Sequence, residues 1–179
     1  MFYTSEIKET APLQFKTPLQ EKVYTSLHKL DIPFQRVDTD DAISMEDCIE
    51  INRKLNMKMV KTLFLCNRQQ SVFYLFVTTG DKPFSSKAFS NALGAARLSF
   101  APEALLNSML GTSIGAATVY SVLLDRENKV QVVFDEEVAS EEWYGCSDGT
   151  TTGYMKVKTT HIIHDFLEYA SHKPTVIQV

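Results

Sequence analysis

The sequence predicts one domain of the α/β class, in the mixed α+β sense: a mixed, mostly antiparallel sheet covered by helices. Three observations predict it. Two β-rich apolar runs, residues 60–66 (VKTLFLC) and 71–79 (SVFYLFVTT), flank the polar turn Asn67-Arg68-Gln69-Gln70, the signature of a hairpin. Both runs are apolar at almost every position, which calls for burial on both faces rather than one. Segments with helical spacing alternate with further short strands, the pattern of a sheet covered by helices. At 179 residues, 44% hydrophobic and 22% charged, the chain has the size and balance of one folded core.

Residues 1–15 show no period and read as an irregular arm, 16–171 as the domain, 172–179 as a tail. Thr17-Pro18-Leu19-Gln20 opens a helix: Thr17 caps it, Pro18 suits the first helical position, and Gln20 closes a capping box. Leu19, Val23, Leu27 and Leu30 form its inward stripe, and Asp31 and Pro33 end it. Residues 34–37 read as a short strand, and Ser44-Met45-Glu46-Asp47 opens a second helix by the same logic. After the hairpin, Ser85 or Ser86 caps a helix through Ala92, residues 97–100 form a strand, and residues 102–110 form a helix ended by Gly111. The small-residue loop GTSIGAAT (111–118) leads into a strand at 119–124, which 125–128 turn back into 130–134 as a second hairpin. Residues 143–149 read as a loop, 151–157 as a strand, and 160–169 as a closing helix.

Composition excludes several classes of function. The longest apolar runs fall well short of the roughly 20 residues a membrane-spanning helix needs. The N-terminus lacks an apolar stretch followed by a small-residue cleavage site, so a cytoplasmic address is expected. Cys48, Cys66 and Cys146 are widely spaced and odd in number, which fits reduced thiols rather than a disulfide framework or a metal knuckle. Eighteen basic against 22 acidic residues give a net charge of −4, so contact with nucleic acid must be local. One local candidate is Arg53, Lys54, Lys58 and Lys61, four cations with no acid between them. There is no dinucleotide fingerprint or P-loop, and no cofactor is expected.

Three constellations are better explained by structure than by chemistry. His161 and His164 share a helix face but have no further ligands reserved for them, so no metal is expected. Cys146 beside Ser147 lacks a hydrolase signature. The acids Asp135, Glu136, Glu137, Glu141 and Glu142 suit a helix start. Lys61 differs because it heads a doubly buried strand, where its ammonium can stand at the sheet end and meet a ligand. A strand-end lysine that merely snorkels fits the same spacing. The loop 111–118 is the natural opposite wall, since glycine and alanine admit a ligand to backbone N–H groups.

The combination of VKTLFL, a second apolar strand ending in TTGDK, and ARLSFAPEALLNSMLGTSIGAATVYSVLLD resembles the YbaK and prolyl-tRNA synthetase-associated editing domains, in particular free-standing prolyl-tRNA deacylases. The resemblance spans roughly residues 17–170. It puts Lys61 in the place of the family's strand-opening lysine, with Thr62 where asparagine is usual. Arg97 takes the arginine of the Arg-Leu-Ser-Phe segment. The family's Gly-x-x-x-Pro loop falls on Gly115 to Val119, keeping the glycine and losing the proline. A His-Pro-Asn-Asp loop falls near 147–150, with Ser147 or Cys146 replacing the histidine.

What the resemblance implies is hydrolysis of the ester joining alanine or cysteine to the 3′ end of proline tRNA. Such an ester is already activated, so a positioned water and oxyanion stabilisation can suffice without a protein nucleophile. On this reading Lys61 holds the terminal phosphate or ribose, and backbone N–H groups near Gly115 polarise the carbonyl. Thr62, Arg97, Ala116, Thr118, Val119, Ser147 and Asp148 contact substrate, and Arg53, Lys54 and Lys58 steer the acceptor stem. The implied partners are tRNA(Pro) and prolyl-tRNA synthetase, with no DNA and no membrane. Two alternatives stay open: a non-catalytic relative that binds tRNA or a synthetase, and a small-molecule esterase.

Overall fold

The computed structural model describes residues 1–42 and 44–179. Helix α1 (Pro18–Lys29) starts where its cap requires: the Thr17 hydroxyl accepts from the Gln20 N–H at 3.0 Å. Gln20 does not close the expected box; its side-chain oxygen accepts from the Lys16 N–H, one residue earlier. Leu19, Val23 and Leu27 are buried, and Asp31 turns the chain at φ 53° into β1 (Gln35–Asp38). The N-terminal arm is partly ordered by β1, with Lys8 and Arg36 exchanging backbone hydrogen bonds at 2.9 and 2.8 Å.

At 44–47 the capping chemistry is present but closes a separate turn. The Asp47 carboxylate accepts from both the N–H and the hydroxyl of Ser44, and α2 (Cys48–Leu55) begins only afterwards. The first hairpin forms as expected, β2 (Val60–Asn67) against β3 (Phe73–Thr79) in the register Val60↔Thr79 to Cys66↔Phe73. Helix α3 (Ser86–Leu93) is capped by Ser85, β4 (Leu98–Phe100) follows, and α4 (Glu103–Leu110) ends at Gly111 with φ 62°.

The second hairpin does not form. Residues Val119–Leu124 make a 3-10 helix capped by the Thr118 hydroxyl, and β5 (Val130–Asp135) pairs in parallel with β3 instead. A short apolar run buried on all sides has no period that separates strand from helix, which is why the sequence misleads here. Short α5 (Glu136–Ala139) then leads to β6 (Trp143–Ser147), a strand where a loop was expected. Gly145 explains it: a Cβ there would meet Met57 and the Lys58 carbonyl within 3 Å, so glycine admits a close backbone approach rather than marking a loop. β7 (Gly153–Lys158) follows. The closing helix divides into a π-helical segment, His161–Phe166, and α6 (Leu167–Tyr169), and the C-terminal segment 172–179 carries β8 (Thr175–Ile177).

Two sheets result, one in the order β4-β2-β3-β5-β8 and one in the order β1-β7-β6, linked where Met59 bridges Gly145. Between them lies the main core, including Val23, Leu27, Leu75, Val77, Phe134, Tyr144, Met155 and Phe166. The other face of the larger sheet packs Leu65, Tyr74, Phe76 and Val133 against Phe89, Leu98 and Ile177. β3 is thus buried on both sides, as its unbroken apolar pattern demands. Among the described residues no helix is long and apolar enough to cross a membrane.

Candidate functional site

On the side away from β3, β4 pairs with β2 at Leu65, Cys66 and Asn67 and β6 meets the chain just before β2 at the Met59–Gly145 bridge, so residues 61–63 lie in a gap between the two strands. The Phe64 carbonyl accepts from the Ala101 N–H across this edge. Because backbone groups alternate sides along a strand, the N–H and C=O of Thr62 face the same way, into open space. That space is a cleft of about 510 Å³, within the size range of small-molecule sites. It is lined by Met45 and Cys48, by Phe100, Glu103 and Leu106, by the turn Ile114-Gly115, and by Cys146, Ser147 and Tyr154.

Lys61 lines this cleft, half-buried, with its Nζ donating to the Lys82 carbonyl. An ammonium has three N–H donors, so two remain for a ligand. The Lys82 carbonyl is itself held in place, since the Lys82 Nζ pairs with Asp135 at 2.7 Å and Glu137 at 3.2 Å and donates to the Val179 carbonyl at 2.8 Å. Asp135 also accepts from the Thr78 hydroxyl at 2.7 Å. Burial opposes the Asp135 carboxylate, but hydrogen bonds from Lys82, Thr78 and the Glu137 N–H outweigh it and lower its pKa. A carboxyl lowered on folding stabilises the fold above its unfolded pKa and stops doing so as pH falls through its folded value. Acid titration of the melting temperature is therefore expected to fall less steeply in Asp135→Asn than in wild type, the two curves converging once the pH drops below the lowered Asp135 pKa.

Gly115 lines the same cleft at φ 88°, a conformation that side-chain-bearing residues adopt at a cost. Gly115→Ala is expected to cost about 1–2 kcal/mol in denaturant unfolding, and to reduce activity more than that loss of stability explains by shifting the turn.

Ser147 and Cys146 reach the cleft without being armed as nucleophiles. The Ser147 hydroxyl donates to the Thr150 carbonyl at 2.7 Å and accepts from the Gly149 N–H at 3.0 Å, so no base receives its proton. Burial pushes the Cys146 thiol up to about 12, which keeps it protonated near neutrality. Both contribute shape and polarity to the cleft.

The other residues singled out from sequence lie elsewhere. Asp148 is buried at 1% exposure behind the cleft, where its Oδ2 accepts from Gln20 Nε2 at 2.9 Å and from the Tyr24 hydroxyl at 2.8 Å. Its Oδ1 accepts from the N–H and the hydroxyl of Thr150. Burial first, and then the Asp148 charge, push the Tyr24 hydroxyl far above its ordinary range. Thr118 caps the 3-10 helix and Val119 packs in the core, because the segment turns inward as a helix instead of running as a strand. Ala116 is buried beside a separate groove, while its neighbour Ala117 faces the cleft. Arg97 is exposed just ahead of β4, outside the cleft. The basic cluster is not free of acids once folded: Arg53 pairs with Glu50 at 2.6 Å, Lys54 with Glu6 at 3.7 Å, and Lys58 with Glu141 at 3.3 Å. His161 pairs with Asp165, and among the described residues no group of three or more His, Cys, Asp or Glu could hold a metal ion.

Sequence reasoning thus finds Lys61, Thr62, Gly115 and Ser147 in the cleft and misses Met45, Cys48, Met59, Phe100 and Tyr154. Phe100 was within reach of the sequence as the last residue of the Arg-Leu-Ser-Phe segment, which drew attention to Arg97 instead.

A family model described as aminoacyl-tRNA editing domain matches residues 39–164. The chain is 29% identical over 119 residues to the prolyl-tRNA editing protein ProX of Acetoanaerobium sticklandii, covering 66% of this chain and 73% of that one. It is 27% identical over 169 residues to prolyl-tRNA synthetase associated domain-containing protein 1 of Danio rerio, covering 93% and 89%. A solved structure described as a candidate trans-editing enzyme for prolyl-tRNA synthetase superposes with a TM-score of 0.66 at 13% identity, over 92% of this chain and 99% of that one, and so shares the fold. With the family model covering most of the chain and the same fold built around the cleft, this protein belongs to the aminoacyl-tRNA editing domain family.

Proposed function

We propose that this protein is a trans-acting deacylase that hydrolyses the ester of alanine or cysteine mischarged onto tRNA(Pro). The observation that carries the reading is a cleft with a cation, an open strand edge and a positive-φ glycine turn, but no armed nucleophile. An aminoacyl ester needs little more than this. The free N–H groups of Lys61 bind the terminal phosphate or ribose, backbone N–H groups at the Gly115 turn receive the developing oxyanion, and a water attacks the carbonyl. The terminal ribose hydroxyl of the tRNA supplies the acid–base help that Cys146 and Ser147 do not. Arg97, exposed outside the cleft just ahead of β4, steers the acceptor stem. Prolyl-tRNA synthetase is the partner that supplies the mischarged substrate.

Selection of the amino acid is then steric. Excluding one methylene is worth only about 1–3 kcal/mol, so rejection of proline has to come from overlap with the apolar wall, not from a missing contact. The experiment is deacylation of Ala-, Cys- and Pro-tRNA(Pro) by the purified protein, with Lys61→Ala alongside. Hydrolysis of either mischarged species, Pro-tRNA(Pro) being spared, is expected; a folded sample inactive on both removes the proposal.

A further inference from the structure

Phe100 is the last residue of β4, is 59% exposed, and lines the mouth of the cleft. Exposure of a phenylalanine usually reflects a lack of neighbours, but this ring is held from behind. It packs on Phe84 with centroids 5.4 Å apart, and Phe84 in turn packs on the buried Phe89 at 6.1 Å. A ring braced on one side and bare on the other is a stacking platform. Ile114, 61% exposed, is a second exposed apolar residue lining the cleft.

Register relates this ring to Lys61. Phe100 stands opposite Leu65, and side chains two apart along a strand share a face, so Lys61, Leu63, Leu65 and Phe100 all project from one face of the sheet. Four residues at the strand rise put Phe100 about 14 Å from Lys61 between Cα atoms. A cation and an exposed aromatic at that separation match a single-stranded nucleic-acid end, which offers phosphates to the one and a base face to the other.

We propose that Phe100 is a base-stacking platform for the unpaired 3′ end of RNA, holding a nucleobase at the cleft mouth while the chain's end runs on towards Lys61. The proposal rests on the editing reading for its ligand and adds a binding subsite to it. Stacking tolerates any base, so the subsite contributes affinity for an unpaired end rather than recognition of one tRNA.

The probe is an uncharged RNA hairpin with a single-stranded CCA end, titrated by fluorescence anisotropy against wild type, Phe100→Ala and Phe100→Trp, with a blunt-ended hairpin as control. Phe100→Ala is expected to weaken binding of the CCA hairpin about tenfold or more, Phe100→Trp to restore it, and the blunt hairpin to ignore both changes. Equal affinities of wild type and Phe100→Ala, or no measurable binding by wild type, overturn the platform. Steady-state deacylation separates it from the editing reading. A raised KM at unchanged kcat in Phe100→Ala supports both. Hydrolysis with a KM insensitive to Phe100 sinks the platform alone, and Phe100-dependent RNA binding without any hydrolysis sinks the editing reading alone. Equal melting temperatures of the three proteins show that the ring, not the fold, is being read.

Discussion

Lys61→Ala is expected to lower kcat/KM for deacylation of mischarged tRNA by about 10²–10³-fold, the usual effect of removing one charge-stabilising donor from an active site. The melting temperature is expected to stay close to that of wild type, since Lys61 is half-exposed and its Nζ donates to one backbone carbonyl. Lys61→Arg is not expected to rescue: the planar guanidinium cannot take the Lys82 carbonyl and a ligand oxygen in the directions a compact ammonium can. Salt dependence tells which oxygen Lys61 holds. If it binds a phosphate, the slope of log affinity against log salt becomes shallower by about 0.7 in Lys61→Ala, the single-strand value for one contact. If it serves only the ribose or the ester, kcat/KM falls with the slope unchanged.

Asp148 carries the second large expectation, and it concerns stability. Both of its oxygens accept two donors, from α1 on one side and from Thr150 on the other. Asp148→Ala leaves these buried donors unpaired at about 1–3 kcal/mol for each group stranded, so a total loss near 4 kcal/mol is expected, or roughly 10 °C in melting temperature. Asp148→Asn is the sharper test. Whichever way the amide is turned, its NH₂ confronts one N–H donor, Gln20 Nε2 or the Thr150 backbone, beside a hydroxyl that can turn to accept, so asparagine is expected to cost about 2 kcal/mol despite its matching shape. A melting temperature within 2 °C of wild type for Asp148→Asn would show that the network does not bind α1 to the β6–β7 loop as drawn. Because Ser147 is adjacent and lines the cleft, activity should fall with it.

These two residues show how much of the site could be read in advance. Lys61 was legible because a charged residue at the head of an apolar run has few places to go except the end of a sheet, where ligands dock. Asp148 was expected at the substrate from its position in an aligned loop, yet the loop turns it inward. Its partners Gln20 and Tyr24 are more than 120 residues away, and no local pattern announces them. The basic cluster illustrates the same limit, since the acid facing Lys58 comes from a segment 83 residues further on.

The hairpin β2–β3, the capped helices and the positions of Gly111 and Gly115 follow from sequence alone, because caps, turns and alternating or unbroken apolar runs act over a few neighbouring residues. Tertiary structure decided the rest. It made 119–124 a 3-10 helix, because a fully buried run gains the same burial in either form and only packing chooses between them. It made 143–147 a strand by closing the backbone onto Gly145. Above all it ended β4 after three residues, leaving residues 61–63 of β2 without a strand on the side away from β3, and the cleft with Lys61 at its edge exists because of that short pairing.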